Sequence, residues 1–149
     1  MRPPRLSNVW LDNPTYFITT NVEKRSPVLA TPEVANILMQ EWRSAFERHS
    51  WAIGRYVIMP DHVHFFCSSL EQKKSLSHFM RQWKEWTSKT IKRSTQLTDF
   101  KWQEGFVDHV LRNHESRSEK WEYIRQNPVR AGLVENPKEW PHKGFIDFD

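Results

Sequence analysis

Trp51-Ala52-Ile53-Gly54-Arg55-Tyr56-Val57-Ile58-Met59-Pro60-Asp61-His62-Val63-His64-Phe65-Phe66-Cys67-Ser68 is the stretch that decides the fold. Residues 51–59 are rich in β-branched and aromatic side chains and read as a strand. Pro60-Asp61 makes a turn, and His62 to Ser68 reads as a second strand paired back on the first. Side chains alternate faces along a strand, so His62 and His64 point one way and Val63 the other. Two imidazoles on one face, two residues apart, are able to grip one metal ion. The same pattern also occurs on the open face of a half-buried sheet. The apolar neighbours Ile58, Met59, Phe65 and Phe66 argue that this face is enclosed, and enclosed imidazoles require partners. Asp61 reads as a turn residue.

Working outward, Tyr16-Phe17-Ile18-Thr19-Thr20 reads as a first strand. Thr31-Pro32-Glu33 opens a helix: Thr31 as N-cap, Pro32 where its missing N–H does no harm, Glu33 at the positive helix end. Val34, Ile37, Leu38, Trp42, Ala45 and Phe46 follow as one apolar stripe. A second helix runs from about Ser75 to Arg93, with Leu76, Phe79, Met80, Trp83, Thr87 and Ile91 inward. Phe106 to Leu111 alternates weakly and reads as a fourth strand. Ser116-Arg117-Ser118-Glu119 offers a capping box for a third helix, which Pro128 ends near Asn127. The C-terminus after Gly132 reads as irregular. Hairpin-linked strands with helices between them predict an α+β domain, an antiparallel sheet with packed helices. The 149 residues make one domain, 1–149, with a core over about 15–141.

Composition narrows the function. Hydrophobic residues make up 38% and charged residues 27%, which suits a packed core rather than disorder. No apolar run approaches the roughly 20 residues that cross a bilayer. The basic start Met1-Arg2-Pro3-Pro4-Arg5 is not followed by an apolar signal region. Cys67 is the single cysteine, which excludes an internal disulfide, fits a reducing cytoplasm and reads as a small buried strand residue. The net charge of +4 suits a polyanion partner. Lys73, Lys74, Arg81, Lys84, Lys89, Lys92 and Arg93 fall in one stretch opposed only by Glu85. That stretch reads either as a solvated helix face or as a phosphate track.

Tyr123 stands four residues before Asn127 on the expected third helix, so the two share a helix face. Tyr16 and Tyr56 fall in strands and read as core. Tyr123 reads either as a packing residue or as a nucleophile. A phenol is a poor nucleophile until a metal, a base or a positioned phosphate assists it. Arg112, Arg125 and Arg130 lie near this segment as further phosphate contacts. Asp108 and His109 are candidates for orienting a ligand imidazole.

Met59-Pro60-Asp61-His62-Val63-His64 resembles the His-hydrophobic-His motif of the HUH endonuclease superfamily. Tyr123-Ile124-Arg125-Gln126-Asn127-Pro128-Val129-Arg130-Ala131-Gly132-Leu133-Val134 resembles the nucleophile segment of the REP-associated tyrosine transposases, and Trp102 to Arg112 resembles the segment before it. The resemblance spans about Tyr16 to Pro141. It implies a ferredoxin-like HUH endonuclease architecture and a bacterial, cytoplasmic, nucleoid-associated enzyme. It implies that His62 and His64 bind Mg²⁺ or Mn²⁺ with Asn127 as third ligand, and that Tyr123 attacks single-stranded or hairpin DNA. The products are a 5′-phosphotyrosine and a free 3′-OH. A monomer and a homodimer are both compatible with it. Two other readings remain beside the enzyme: a domesticated module that holds DNA hairpins without chemistry, and, from basic charge and aromatics alone, an RNA-binding protein.

Overall fold

The computed structural model describes residues 13–69 and 74–149, so Met1–Arg5 and Lys73 lie outside the described residues. Strands β1 (Thr15–Asn21), β2 (Trp51–Ile58), β3 (His62–Ser69), β4 (Val107–Leu111) and β5 (Lys143–Phe145) form one sheet in the order β4-β1-β3-β2-β5. Every pairing is antiparallel. Helix α1 (Pro32–His49) links β1 to β2, and β3 inserts between those two strands. Helix α2 (Leu76–Ser94) links β3 to β4 around β1. Two interlocked split βαβ units of this kind make the ferredoxin-like α+β architecture. The expected hairpin is present, with a bulge in β2 between Ile53 and Tyr56.

Local chemistry sets the helix ends. Thr31 Oγ1 accepts the Val34 N–H at 3.2 Å, Pro32 opens α1, and Ser50 closes it in a left-handed conformation. Ser75 Oγ accepts the His78 N–H at 3.1 Å and starts α2. Helix α3 (His114–Arg125) differs from the sequence reading. Its cap is Asn113, whose Oδ1 accepts the Ser116 N–H at 2.8 Å. Ser116 therefore lies inside the first turn rather than ahead of it.

The alternation of β1 and β3 divides the apolar residues into two cores. Ile18, Val63, Phe65 and Cys67 face α1 and α2 and join Leu38, Trp42, Phe79, Met80, Trp83 and Ile91. Trp42 and Trp83 stack there at 5.5 Å between ring centroids, and Trp102 extends the column at 5.3 Å from Trp83. Offset aromatic pairs add about 0.5–1.5 kcal/mol each beyond the area they bury. Burial pushes the Cys67 thiol well above its ordinary pKa, as befits a packing residue. On the opposite face Phe17, Val57, Met59 and Phe66 gather with Leu111, Ile124, Trp140 and Phe148.

The C-terminus is more regular than expected. Asn136 and Glu139 form a reciprocal capping box on a short 3-10 turn, and β5 adds a fifth strand to β2. The buried ring of Phe148 packs against Gly54, where a Cβ would stand 2.5 Å from its Cε2. The packed structure thus runs past Pro141.

His49, in the last turn of α1, is 6% exposed and packs against Phe79 with the rings tilted at 55°. Lys74 Nζ donates to its Nδ1 at 2.8 Å. Burial, and then the positive charges of Lys74 and Arg48, lower its pKa to about 4. The unfolded chain therefore takes up this proton near pH 6.5 while the folded chain refuses it until about pH 4. Stability contributed by the neutral ring is complete above pH 6.5 and falls through that window. His49→Gln, which keeps an acceptor for Lys74, is expected to show a smaller loss of stability between pH 6.5 and 4 in urea titrations.

Candidate active site

The register of β3 places the two histidines. Asn21 pairs with His62 and Thr19 with His64, so both rings stand on the face away from α1 and α2. Their ring centroids are 4.8 Å apart, nearly perpendicular. His62 Nδ1 meets Asp61 Oδ1 at 2.7 Å. His64 Nδ1 meets Thr19 Oγ1 at 2.8 Å. Each Nδ1 is thus spent on a protein neighbour, and Nε2 is the nitrogen left to meet a ligand. A carboxylate only accepts, so Asp61 makes Nδ1 the protonated nitrogen of a neutral His62 ring and leaves the lone pair on Nε2.

Asp61 is therefore more than a turn residue. Burial pushes its carboxyl up, but hydrogen bonds from His62 and from Arg25 Nε, 2.9 Å away, outweigh that and hold it below its ordinary value. The partners expected at Asp108 and His109 are instead Asp61 and Thr19. Asp108 lies opposite Ile18, on the other face of the sheet. His109 stacks on Phe17, which in turn stacks on His64. Thr19 was legible in principle, since it shares the parity of Phe17 along β1.

His64 is the more enclosed ring, and its pKa is pushed down to about 3. Burial is the largest cause, followed by His62 once it is itself protonated, and then by the positive charges of Lys120 and Arg130. A ring kept neutral presents a lone pair, as ligation requires. Lys120, which the sequence reading passed over, stands 5.1 Å above the Phe17 ring. Its signal was its place three residues before Tyr123, one helix turn away.

Tyr123 is 63% exposed on α3. The expected continuous helix face from Tyr123 to Asn127 is interrupted. Helix α3 stops at Arg125 and a four-residue helix, α4 (Asn127–Arg130), follows. Pro128 has no N–H for the Ile124 carbonyl, so the hydrogen-bond ladder lapses there. Arg130 spans the break. Its guanidinium lies 4.0 Å from the Tyr123 ring centroid, donates to the Tyr123 carbonyl at 2.6 Å and donates to Asn127 Oδ1. Arg130, whose charge is also felt at His64, is thus a neighbour that the enclosed imidazole and the tyrosine share. Among the described residues no group of three or more His, Cys, Asp or Glu is gathered as a metal cluster. An ion at the two imidazoles would therefore need oxygen ligands of another kind to complete its sphere.

The other basic candidates are scattered. α2 packs on the far face of the sheet, so Arg81, Lys89, Lys92 and Arg93 are exposed away from the histidines. Lys89 lies 3.5 Å from Glu85. Lys74 holds His49 and Gln82. Lys84 donates to the Gln103 carbonyl at 2.9 Å and to that of Gly105, and burial lowers its pKa to about 8. Arg112 is exposed just after β4. Arg125 pairs with Glu122 and lines a cleft of about 490 Å³ with Arg55, Trp121, Lys143 and Phe148.

The sheet is antiparallel and ferredoxin-like, with the paired histidines on one face and the helix that carries Tyr123 packed on that same face. The match to the family described as Transposase IS200 like covers residues 11–127, and the chain belongs to that family. It is 27% identical over 131 residues to the REP-associated tyrosine transposase of Escherichia coli (strain K12), covering 88% of this chain and 76% of that protein. A Haemophilus influenzae protein provisionally given the same name is 27% identical over 143 residues, covering 87% and 78%. The fold is that of a solved REP-associated tyrosine transposase bound to a REP hairpin. The TM-score is 0.74 at 24% identity, over 96% of this chain and 80% of that one. No helix among the described residues is long and apolar enough to cross a membrane.

Lys84 provides a test of the division between faces. Lys84→Met is expected to destabilise the fold by about 1 kcal/mol in urea titrations, because it orphans two carbonyls. The slope of DNA affinity against salt is expected to stay at its native value.

Proposed function

We propose that the chain is a divalent-metal-dependent, single-stranded DNA endonuclease and strand transferase that acts at palindromic hairpins through a phosphotyrosine on Tyr123. The observation that supports this is the histidine pair, each Nδ1 held from behind, on the same side of the sheet as the tyrosine helix. The REP hairpin bound to the structural relative supports hairpin DNA as the substrate.

His62 and His64 would hold Mg²⁺ or Mn²⁺, and Asn127, whose Oδ1 now accepts from Arg130, would be the third ligand. Imidazole favours Mn²⁺ of the two. Such an ion would supply Lewis-acid stabilisation of the charge that develops on the scissile phosphate. Lys120 and Arg130 supply the positive charge that draws the strand to this face. Tyr123 Oη attacks phosphorus and gives up its proton to solvent. The P–O3′ bond breaks, and the 3′ oxygen leaves as a hydroxyl. Attack of another 3′-OH on the phosphotyrosine reverses these bond changes and joins the strands. One phosphoester replaces another throughout, so no nucleotide energy source is consumed. Arg130's hold on Asn127 favours, as a second reading, a hairpin-binding module without chemistry.

Incubation with a labelled hairpin oligonucleotide and Mn²⁺, followed by a denaturing gel, separates the two. The native chain is expected to give a covalent protein–DNA band, and Tyr123→Phe to give none while still shifting the hairpin on a native gel. Phe keeps the ring and removes the hydroxyl. An adduct from the Phe variant would give the chemistry to another nucleophile, and a shift without adduct from the native chain would leave the binding module.

Placement of charge gives a second test. Lys120→Glu is expected to weaken single-stranded DNA binding and to reduce the slope of log affinity against log salt by roughly 0.7–0.9. Lys89→Glu with Arg93→Glu, on the far face, is expected to leave both near native values. The reverse result would return the phosphate track to α2.

A further inference from the structure

The turn that leaves β1 is built under strain. Lys24 and Arg25, in the 3-10 turn Glu23–Arg25, both have left-handed φ angles, 58° and 55°. Neither is glycine, the residue that enters this region freely. Backbone hydrogen bonds fasten the turn to its surroundings. The Val22 N–H donates to the Asp61 carbonyl at 2.9 Å, the Glu23 N–H to the Lys101 carbonyl at 3.0 Å, and the Arg25 N–H to the Val22 carbonyl at 2.9 Å. So held, Arg25 Nε donates to Asp61 Oδ2 at 2.9 Å, while Asp61 Oδ1 receives His62 Nδ1 at 2.7 Å.

Stability does not account for this arrangement. The Arg25 side chain is 56% exposed, and ion pairs in water add little to folding. Orientation does account for it. A carboxylate held at one oxygen still swings about its Cβ–Cγ bond, whereas one held at both oxygens does not. Strained backbone persists where the surroundings over-determine it, and such places cluster at functional sites.

We propose that Arg25 is a positioning residue: through Asp61 it locks the His62 ring with Nδ1 protonated and turned inward, and Nε2 presented to the ligand. The inference rests on the reading of His62 as a metal ligand. In this proposal Arg25 acts through Asp61 rather than on the ligand itself. Thr19 Oγ1 meets His64 Nδ1 from within the sheet, but a hydroxyl donates as well as accepts and so holds that ring without choosing its tautomer.

Two measurements test it. Long-range ¹H–¹⁵N correlation spectra of the metal-free protein report which nitrogen of a neutral His62 ring carries the proton. Calorimetric titration with Mn²⁺ reports affinity. The native protein is expected to show a single Nδ1–H tautomer at His62. Arg25→Gly is expected to mix the tautomers and to weaken Mn²⁺ binding several-fold, while the melting temperature of the metal-free protein holds or rises because glycine relieves the left-handed φ. Asp61→Asn is expected to weaken Mn²⁺ binding by roughly 10- to 100-fold. Adding Arg25→Gly to Asp61→Asn is expected to weaken it no further.

If Arg25→Gly melts lower than the native chain, Arg25→Lys takes its place. It retains charge without the Nε donor and is expected to recover part of the affinity. A glycine variant with native tautomer and native affinity would overturn the proposal, as would an equal loss in the Asp61→Asn background. A native protein that binds no Mn²⁺ would remove the metal reading instead, and the tautomer spectra would still judge the clamp by itself.

Discussion

Val63, Phe65 and Cys67 expose nothing to solvent, and their burial against α1 and α2 fixes where every other residue of β3 must point. A strand has a period of two, so a slip of one residue would exchange its faces. Here the slip would drive His62 and His64 into a core of stacked tryptophans and expel three apolar side chains. The packing of the helical layer thereby guarantees the site on the other layer without touching it. The same constraint acts along β1, where Ile18 is drawn to the helices and Phe17 and Thr19 are left beside His64. Position in this protein is a by-product of packing, and the histidines inherit the rigidity of a core to which they do not belong.

The two histidines are supported differently. His64 is enclosed, flat against Phe17 and kept neutral to about pH 3 by burial first, then by the cations around it. His62 lies at the strand's start, next to the turn, and relies on Asp61. The enclosed ring is steadied by neighbours within the sheet, the peripheral one by charge. Arg130 ties a third element to this pair. It holds the segment after Tyr123 together where Pro128 has broken the helix, and its charge is felt at His64. Removing it would loosen the tyrosine segment and change the field at the imidazole together.

Much of this was readable in the residues. The hairpin, the caps of α1 and α2, the inner stripe of α2 and the shared face of the histidines all follow from spacings within a few residues, where periodicity acts directly. What escaped was of another kind. β5 is three residues long and owes its existence to β2, with Gly144 allowing the Tyr56 hydroxyl close approach. Arg25 and Asp61 are 36 residues apart, and nothing local brings them together. The basic run on α2 was visible as a run, but its distance from the histidines depends on which side of the sheet the crossover takes. Lys84 shows the limit most clearly: its charge suggested phosphate, and the fold uses it to hold two loop carbonyls. Spacing revealed the faces of single elements, and only the order of the strands revealed which faces meet.

The ends of the sheet are unlike each other. β5 seals the edge of β2, while β4 closes the other side of the sheet with two of its valines, Val107 and Val110, in solvent. A bare strand edge offers unpaired backbone donors and acceptors to any passing extended chain. β4 is only five residues long, and Asp108 and His109 stand between the valines. A neighbouring molecule that tried to extend the sheet would gain few hydrogen bonds and would have to strip water from a carboxylate to gain them. Such a strand is a poor template for joining copies edge to edge, although no further strand among the described residues pairs with it.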